Sequence, residues 1–319
     1  MAEVPAPETS WESAPGIIDG AMSLQLTAQG CDLDYWIRAV AQGTLAGLVH
    51  GHRATAGVPE FMKRPGPLRE ALIDEMAFRS MAEEKATRAI ADLVRIAPGL
   101  AEMEFYVTQL FDEARHARVF RGHIVELGVP PEELTELIEG VVDRDRERIL
   151  APLEEFAEPI RASDDFIAGV VMLTVLVEGV LAPAAEMSER KWRPLDPAVA
   201  DIERGACIDE VRHLSVGSSI VRDHLLRHPD EREPIGTLIK NGQRLWESLP
   251  VLDALWRRES LFQIGIQEHA EVVGDYEIWP GRRLLDTTPE ERITMAIEWS
   301  GQMQEGRLRY MGLADGFSD

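Results

Sequence analysis

Residues 112–116 read DEARH, and 97 residues further along the chain residues 209–213 read DEVRH. Both copies follow the pattern Asp-Glu-x-Arg-His, and each lies in the middle of a segment with helical spacing of apolar residues. A single Glu-x-x-His is common by chance, whereas two copies of the longer motif are not. Because residues i and i+3 share one face of a helix, each copy can direct a carboxylate and an imidazole at the same ion.

A glutamate in an apolar helical segment precedes each motif by about thirty residues. Glu178 lies in the run VMLTVLVEGVLAPA, which contains no other charge. A bare buried carboxylate is costly, so we expect a cation beside it. Glu83 lies on an inward apolar stripe that includes Ile90, whereas the adjacent Glu84 shares a face with Arg88. We therefore choose Glu83 as the first ligand, and the alternative Glu84 stays open.

The sequence thus predicts two helices that carry one glutamate each and two that carry Glu-x-x-His. This is the di-metal carboxylate arrangement of ferritin-like four-helix bundles. Four carboxylates balance the charge of two divalent cations. Oxygen and imidazole ligands favour iron or manganese over structural zinc, so we predict two iron ions, with a manganese–iron pair as the alternative. The predicted metal ligands are Glu83, Glu113, His116, Glu178, Glu210 and His213.

The remaining charged residues of the two motifs are predicted to support these ligands. Asp112 and Asp209 would accept hydrogen bonds from the opposing histidines and so orient them. Arg115 and Arg212 would pair with the buried carboxylates.

The apolar spacing predicts an all-α fold, with a ferritin-like four-helix bundle core and about four additional helices. Residues 1–30, rich in Pro, Gly, Ser and Ala, are expected to form a flexible N-terminal arm, and residues 31–319 a single di-metal domain. Ser163 is expected to cap the third ligand helix. The four ligand helices are predicted at about 68–96, 100–127, 164–190 and 198–226.

Composition narrows the class of protein. The chain has 319 residues and a formal net charge of −23, which repels phosphate backbones, so nucleic acid is not an expected partner. Only Cys31 and Cys207 are present, too few for a disulfide framework. We find no secretory signal and no long uninterrupted apolar run, and therefore expect a cytoplasmic protein without a membrane span.

The segment from about residue 73 to residue 221 resembles the ribonucleotide-reductase-like, or bacterial multicomponent monooxygenase, branch of the ferritin-like superfamily. The resemblance rests on the ligand motifs, which in that family read E, DExRH, E, DExRH. It implies that the six predicted ligands hold two metal ions and that the metal pair reacts with O2.

Two positions depart from well-known members of that family. The radical-generating reductases carry a tyrosine four residues after the first ligand histidine, where this chain has Phe120, so a stable tyrosyl radical is not expected there. The hydrocarbon monooxygenases carry a threonine four residues after the lone glutamate of the second half, where this chain has Ala182. The remaining resemblance is to natural-product tailoring enzymes, including nitrogen-oxidising di-iron proteins and those of azoxy-forming pathways such as that of valanimycin.

The sequence therefore predicts an enzyme, a non-haem di-iron oxygenase or oxidase with O2 as co-substrate. Its small-molecule substrate would be a nitrogen-containing intermediate, such as a hydroxylamine, hydrazine or amine, converted to an azoxy or other N-oxygenated product. A C–H hydroxylase or desaturase is one alternative, and a ferroxidase or metal-binding non-enzyme is another. A ferredoxin or reductase as electron donor and a homodimer are also expected. The residues predicted to line the pocket are Met76, Ser80, Thr87, Phe120, Thr174, Leu181 and Ala182.

Overall fold

A computed structural model describes residues 7–45 and 48–314. Helices make up 76% of the chain and strands 2%, which confirms the all-α fold class. The ten longer helices are α1 Ile17–Ser23, α2 33–44, α3 Pro67–Ile96, α4 Leu100–Glu126, α5 134–162, α6 Phe166–Trp192, α7 Pro197–Arg227, α8 Arg232–Ser248, α9 Val251–Glu268 and α10 Pro289–Met311.

Shorter elements connect the later helices. A four-residue helix, Ala270–Val273, precedes an antiparallel hairpin of β1 Glu277–Trp279 and β2 Arg282–Arg283. Single 3₁₀ turns occupy Pro7–Thr9, Pro229–Glu231 and Leu284–Asp286.

Proline, glycine and aspartate set the ends of the long helices. Pro67 occupies the first turn of α3, where its missing N–H costs nothing. Gly128 follows α4 with a φ of +89°, a conformation that favours glycine. At the start of α7, the side chain of Asp196 accepts hydrogen bonds from the N–H groups of Ala198 and Val199. These signals explain why the predicted bounds of the four ligand helices differ from the structure by at most two residues.

One predicted helix cap is wrong. Asp165, not Ser163, caps α6: its Oδ1 accepts from the N–H of Ala168 at 3.0 Å, while Ser163 ends the preceding helix. Helices α8 and α9 are separate because the chain turns at Leu249 and Pro250.

The N-terminal segment is also better ordered than its composition predicts. In its described part, residues 7–30, α1 packs against α7 and α10, and Ile17 and Ala21 are fully buried. The side chain of Glu186 accepts a hydrogen bond from the N–H of Ile18, which ties α1 to α6. The prediction of a flexible arm is therefore wrong for these residues, and its first six residues lie outside the described part of the chain.

Four helices surround one interior. The loop between α3 and α4 is three residues long, and the two helices pack along each other, as α6 and α7 also do. Helix α7 contacts α4, and the first part of α6 contacts α3, which closes the arrangement. Helices α9 and α10 pack against the outside of these four, on α3 and on α6 and α7 respectively.

Two apolar clusters lie on either side of the ligand residues along the helix axes. On α3, Met76 belongs to one cluster and Ile90 to the other, with Glu83 midway between them. On α4, Glu113 lies in the same way between Phe120 and Tyr106. The polar site is therefore enclosed by the core of the protein.

Helix α6 is apolar enough to span a bilayer, by length and composition only. Its mean hydropathy is 2.1 over the most apolar window, yet 67% of that window is buried inside the protein. Core helices of soluble proteins share this property, and the packing of α6 on α7 gives its apolar surface a partner.

Candidate metal centre

The six predicted ligands lie together in two overlapping groups. Within each group, one potential ligand atom from every residue lies within 4.8 Å of those of the others. Glu113 belongs to both groups, so the groups adjoin. The first group comprises Glu83, Glu113, His116 and Glu210, and the second comprises Glu113, Glu178 and His213.

The two imidazoles lie beside the carboxylates, one on α4 and one on α7, each one turn after the glutamate of its own motif. His116 Nδ1 lies 3.1 Å from Glu113 Oε2 on the same helix face, as the i, i+3 spacing requires. His213 Nδ1 lies 3.0 Å from Glu113 Oε1 and 3.9 Å from Glu210 Oε2. Glu113 is therefore flanked by both imidazoles.

A wider helical turn presents Glu178 to this group. Residues Met172–Glu178 of α6 form a π-helical turn, in which the N–H of Gly179 donates to the carbonyl of Thr174, five residues back. Such turns change the angular position of the residues that follow and are frequent at functional sites. Glu178 Oε1 accepts a hydrogen bond from Gln109 Nε2 on α4, which leaves Oε2 directed elsewhere.

The structure also separates Glu83 from Glu84. Glu83 is half-buried and belongs to the first group, whereas Glu84 pairs with Arg88 at 2.9 Å and with Arg121. Of the two carboxylates, Glu83 is the one with access to the site.

Each motif aspartate contacts the histidine of the other motif. His213 Nε2 lies 3.3 Å from Asp112 Oδ2, and His116 Nε2 lies 3.1 Å from Asp209 Oδ2. A carboxylate facing Nε2 keeps the proton on that nitrogen and leaves Nδ1 as the atom that faces the glutamates. The two helices are therefore cross-connected on the outer side of the cluster.

Arginines complete this outer layer. Arg115 donates to Asp209, and Arg212 donates to both Asp112 and Asp209. Burial raises the pKa of Asp209, but Arg115, Arg212 and His116 outweigh it, so the pKa lies far below its usual value. Trp36 on α2 adds a donor, with Nε1 at 3.2 Å from Asp112 Oδ1. Both aspartates thus accept hydrogen bonds from arginine, and Asp112 also from Trp36.

Burial and mutual repulsion disfavour the charged forms of most of the glutamates. Burial raises the pKa of Glu83 and of Glu178, and neighbouring carboxylates raise both further. Burial and the charge of Glu113 likewise raise the pKa of Glu210 to about 7. Burial also disfavours the charged form of Glu113, yet the adjacent imidazoles of His116 and His213 hold its pKa well below the usual value. Added positive charge would relieve this repulsion.

Four buried polar atoms of the cluster have no hydrogen-bond partner within residues 7–45 and 48–314. Buried polar atoms are nearly always paired, so a group of unpaired ones needs an explanation. All four are lone-pair donors of the kind that bind iron or manganese, and they converge from α4, α6 and α7. The chemistry of this donor set therefore fits a pair of divalent cations. The atoms are Glu113 Oε1, Glu178 Oε2, Glu210 Oε2 and His213 Nδ1.

A cavity of about 170 Å³ adjoins the cluster. All four predicted glutamate ligands line it, and most of the remaining wall is formed by alanine and other apolar side chains. Small apolar side chains leave space beside the carboxylates and exclude competing hydrogen bonds. The cavity is thus suited to a small molecule in contact with the cluster.

Of the residues predicted to line the pocket, only two are found among the described residues that form the cavity wall. Leu181 and Ala182 line it, whereas the other five predicted residues are not part of its wall. These five side chains make other contacts. They are Met76 and Phe120, buried in one apolar cluster; Ser80, which donates to the Ala77 carbonyl; Thr87, which donates to the Glu83 carbonyl; and Thr174, packed at Gly217.

Sequence reasoning missed the walls that come from outside the four ligand helices. Ala254 and Leu255 of α9 and Ile293 and Ala296 of α10 line the cavity, together with Trp246 of α8. No motif marks these residues.

A row of charged residues on α3 could have been found from the sequence, because Glu75, Arg79 and Glu83 follow one another at i, i+4 and i+8.

Comparison with known proteins does not identify the chain. No model of a protein family matches it, and no curated protein does. The resemblance implied by the ligand motifs therefore stays a prediction.

Proposed function

We propose that this protein is a non-haem di-iron oxygenase or oxidase that uses O2 to oxidise a nitrogen-containing small molecule. The observation that carries the proposal is the convergence of six carboxylate and imidazole groups, four of whose atoms are buried and unpaired, beside a cavity. A bundle without metal would have to keep four neighbouring carboxylates inside its core, which is costly.

The four helices α3, α4, α6 and α7 are proposed to form a ferritin-like bundle core. Each contributes ligands from its middle, with Glu83 from α3 and Glu178 from α6 as the lone glutamates. The two Glu-x-x-His pairs come from α4 and α7, as the family pattern requires.

The chain's own residues would position the metal pair and control access to it. The two groups of ligands, which have Glu113 in common, would hold the metal pair, and Asp112 and Asp209 hold the Nε2 protons of the two histidines. A pair of iron ions bound there supplies O2 activation and electron transfer. The apolar part of the cavity wall would limit the water around the reacting molecule. A manganese–iron pair would use the same ligands.

The nitrogen-containing substrate is the narrower part of the proposal. It is supported by the resemblance to nitrogen-oxidising tailoring enzymes, by Phe120 in place of a radical-forming tyrosine and by Ala182 in the cavity wall in place of a threonine. An azoxy or other N-oxygenated product is proposed, with electrons from a ferredoxin or reductase. C–H hydroxylation or desaturation is the alternative within the same enzyme class.

Metal analysis tests the central proposal. Protein loaded anaerobically with ferrous iron is expected to retain about two iron ions per chain by elemental analysis. Glu83→Gln should lower this content, while Glu84→Gln, one residue away on a solvent-facing ion pair, should leave it unchanged. The loaded protein should also unfold at a higher temperature than the metal-free protein. Retention of well under one iron per chain, with Glu113→Ala making no difference, would contradict the proposal.

Product analysis separates the proposed reaction from its alternatives. The loaded protein is supplied with ¹⁸O2, a chemical reductant and candidate amines, hydroxylamines and hydrazines. The proposal predicts label on nitrogen in the product, whereas label on carbon or a new C=C bond would indicate hydroxylation or desaturation. Oxidation of ferrous iron without any organic product would indicate a ferroxidase.

A further inference from the structure

The cavity has a second polar end, away from the glutamate cluster. Its wall there carries four cationic side chains and two carboxylates, and two further buried carboxylates, Asp74 and Glu203, lie beside Arg258 and Arg79. The cations are Arg79, Lys191, Arg258 and Arg292, and the carboxylates of the wall are Glu75 and Glu259.

Three of these cations each have a carboxylate oxygen within hydrogen-bond distance, at 2.6–2.8 Å. Lys191 Nζ lies 2.9 Å from Glu75 Oε2 and 2.8 Å from Glu259 Oε1. Arg292 donates to Glu259 and to Thr287, and Arg258 Nε donates to an aspartate on α3. These groups close the end of the cavity as a paired network.

Arg79 differs from the other three. Of its five N–H donors, one makes a hydrogen bond, from Nη2 to Glu75 Oε1 at the long distance of 3.5 Å. Its Nε lies 3.1 Å from Glu203 Oε1 without the geometry of a hydrogen bond, and this buried atom has no partner within the described part of the chain. The side chain is 14% exposed and lines the cavity. The guanidinium of Arg79 is therefore nearly buried and has N–H groups that make no hydrogen bond within the described residues.

The carboxyl group of Glu203, which lies beside Arg79, does not carry a full negative charge. Burial raises the pKa of Glu203 to about 7, against the opposing effect of Arg79, so this carboxyl is only partly ionised near neutral pH. An anionic group in the cavity would accept the hydrogen bonds that Arg79 does not make within the protein. The planar fork of a guanidinium matches a carboxylate in particular, because two parallel hydrogen bonds can form.

Position and size limit the molecule that could bind there. Arg79 precedes Glu83 by one helical turn, about 6 Å along α3. The cavity of about 170 Å³ is slightly larger than an engineered cavity of about 150 Å³ that accepts benzene. A molecule that reaches both Arg79 and the glutamate cluster is thus small.

We propose that the cavity binds a small carboxylic acid whose carboxylate is held by the guanidinium of Arg79, with its opposite end toward the glutamate cluster. That the opposite end is the nitrogen to be oxidised rests on the proposed function. Binding of the carboxylate at Arg79 does not, because it requires no metal.

The test compares three probes of equal length, butyrate, butyramide and butylamine, by ligand-observed NMR titration of the full chain. It uses both metal-free protein and protein loaded with manganese(II). Butyrate is expected to bind about tenfold more tightly than either other probe, because its hydrogen bonds to Arg79 are charge-assisted. Arg79→Gln should remove this preference, and Arg79→Lys should reduce it. Arg88→Gln, on the exposed side of α3, should preserve it.

Loss of folding is controlled by a second variant. Arg79→Gln combined with Glu203→Gln removes both charges of the buried pair and is also expected to lack the preference for butyrate. The proposal is overturned if butyrate does not bind, if butyramide or butylamine binds equally well, or if Arg79→Gln leaves butyrate binding unchanged. Butyrate binding that requires manganese and ignores Arg79 would place the carboxylate on the metal. A protein that binds no metal but selects butyrate through Arg79 would contradict the proposed function and support this inference.

Discussion

His116 Nε2 on α4 lies 3.1 Å from Asp209 Oδ2 on α7, while the other nitrogen of the same ring faces Glu113. The reciprocal contact joins His213 to Asp112. Each histidine is therefore oriented by a residue of the other motif, and both motifs must be present for either half of the cluster to be aligned.

Asp209→Asn is expected to weaken metal binding about 10- to 100-fold, because the outer-layer carboxylate fixes the ring orientation and basicity of the ligand histidine. Competition with a metal chelator measures the affinity. Asp223→Asn is the control on the same helix, since that side chain is about half exposed and distant from the cluster. Circular dichroism confirms that both variants are folded. Equal affinities for the two variants would show that the contact has no role in metal binding.

The sequence was sufficient to locate the cluster because helix geometry translates spacing into position. The i, i+3 pairs and the glutamates in apolar stripes can face the interior in only one way once the helices pack. Proline and glycine fixed the helix ends for the same reason, as at Pro67 and Gly128. Local rules therefore determined which side chains could meet.

The cavity and the N-terminal segment depend on contacts that are distant in sequence. Ala254 and Ala296 line the cavity because α9 and α10 pack on the ligand helices. The sequences of α9 and α10 contain no motif that predicts this packing. Helix α1 is seven residues long and gains its order from tertiary packing, with Ile17 as its buried anchor. The π-helical turn before Glu178 likewise lacks a local signal.

Gly217→Ala is expected to destabilise the protein by about 1–3 kcal/mol, because the added Cβ overpacks a tight contact between α6 and α7. That Cβ would lie within 2.1 Å of Thr174 Oγ1, a buried atom one turn before Glu178. Urea unfolding of the metal-free protein measures the change. The control is Gly236→Ala on α8, where a Cβ meets nothing within 4 Å, and this variant should be neutral or more stable by up to about 1 kcal/mol. Equal stabilities would mean that α6 and α7 are further apart.

His123 is expected to make the free energy of unfolding depend on pH between about 6.5 and 9. Burial lowers the pKa of His123, but Asp196 and Glu126 outweigh it and raise the pKa to about 9. The charged ring therefore stabilises the fold fully below its unfolded pKa of 6.5, and this contribution disappears as pH rises through 9. The size is roughly 1–3 kcal/mol. Replacing His123 leaves a second imidazole beside Glu126, because His52 also contacts that carboxylate.

The measurement is the difference in unfolding free energy between wild type and His123→Gln across this window. The difference should be largest near pH 6.5 and should shrink toward pH 9, since the variant has no charge to lose. His228→Gln, at an exposed histidine, should show a constant difference. A pH-independent difference for His123→Gln would mean that the ring is neutral in the folded protein.

Lys191→Met is expected to cost about 3 kcal/mol or more, because it leaves the buried carboxylates of Glu75 and Glu259 with less compensating charge. Lys63→Met removes an ion pair with the exposed Glu60 and should change stability by less than about 1 kcal/mol. Adding Glu75→Gln to Lys191→Met should recover part of the loss, because an uncompensated buried charge, rather than lost packing, causes it. Failure of the double variant to recover any stability would instead assign the cost to lost packing of the lysine side chain against Trp192 and Phe262.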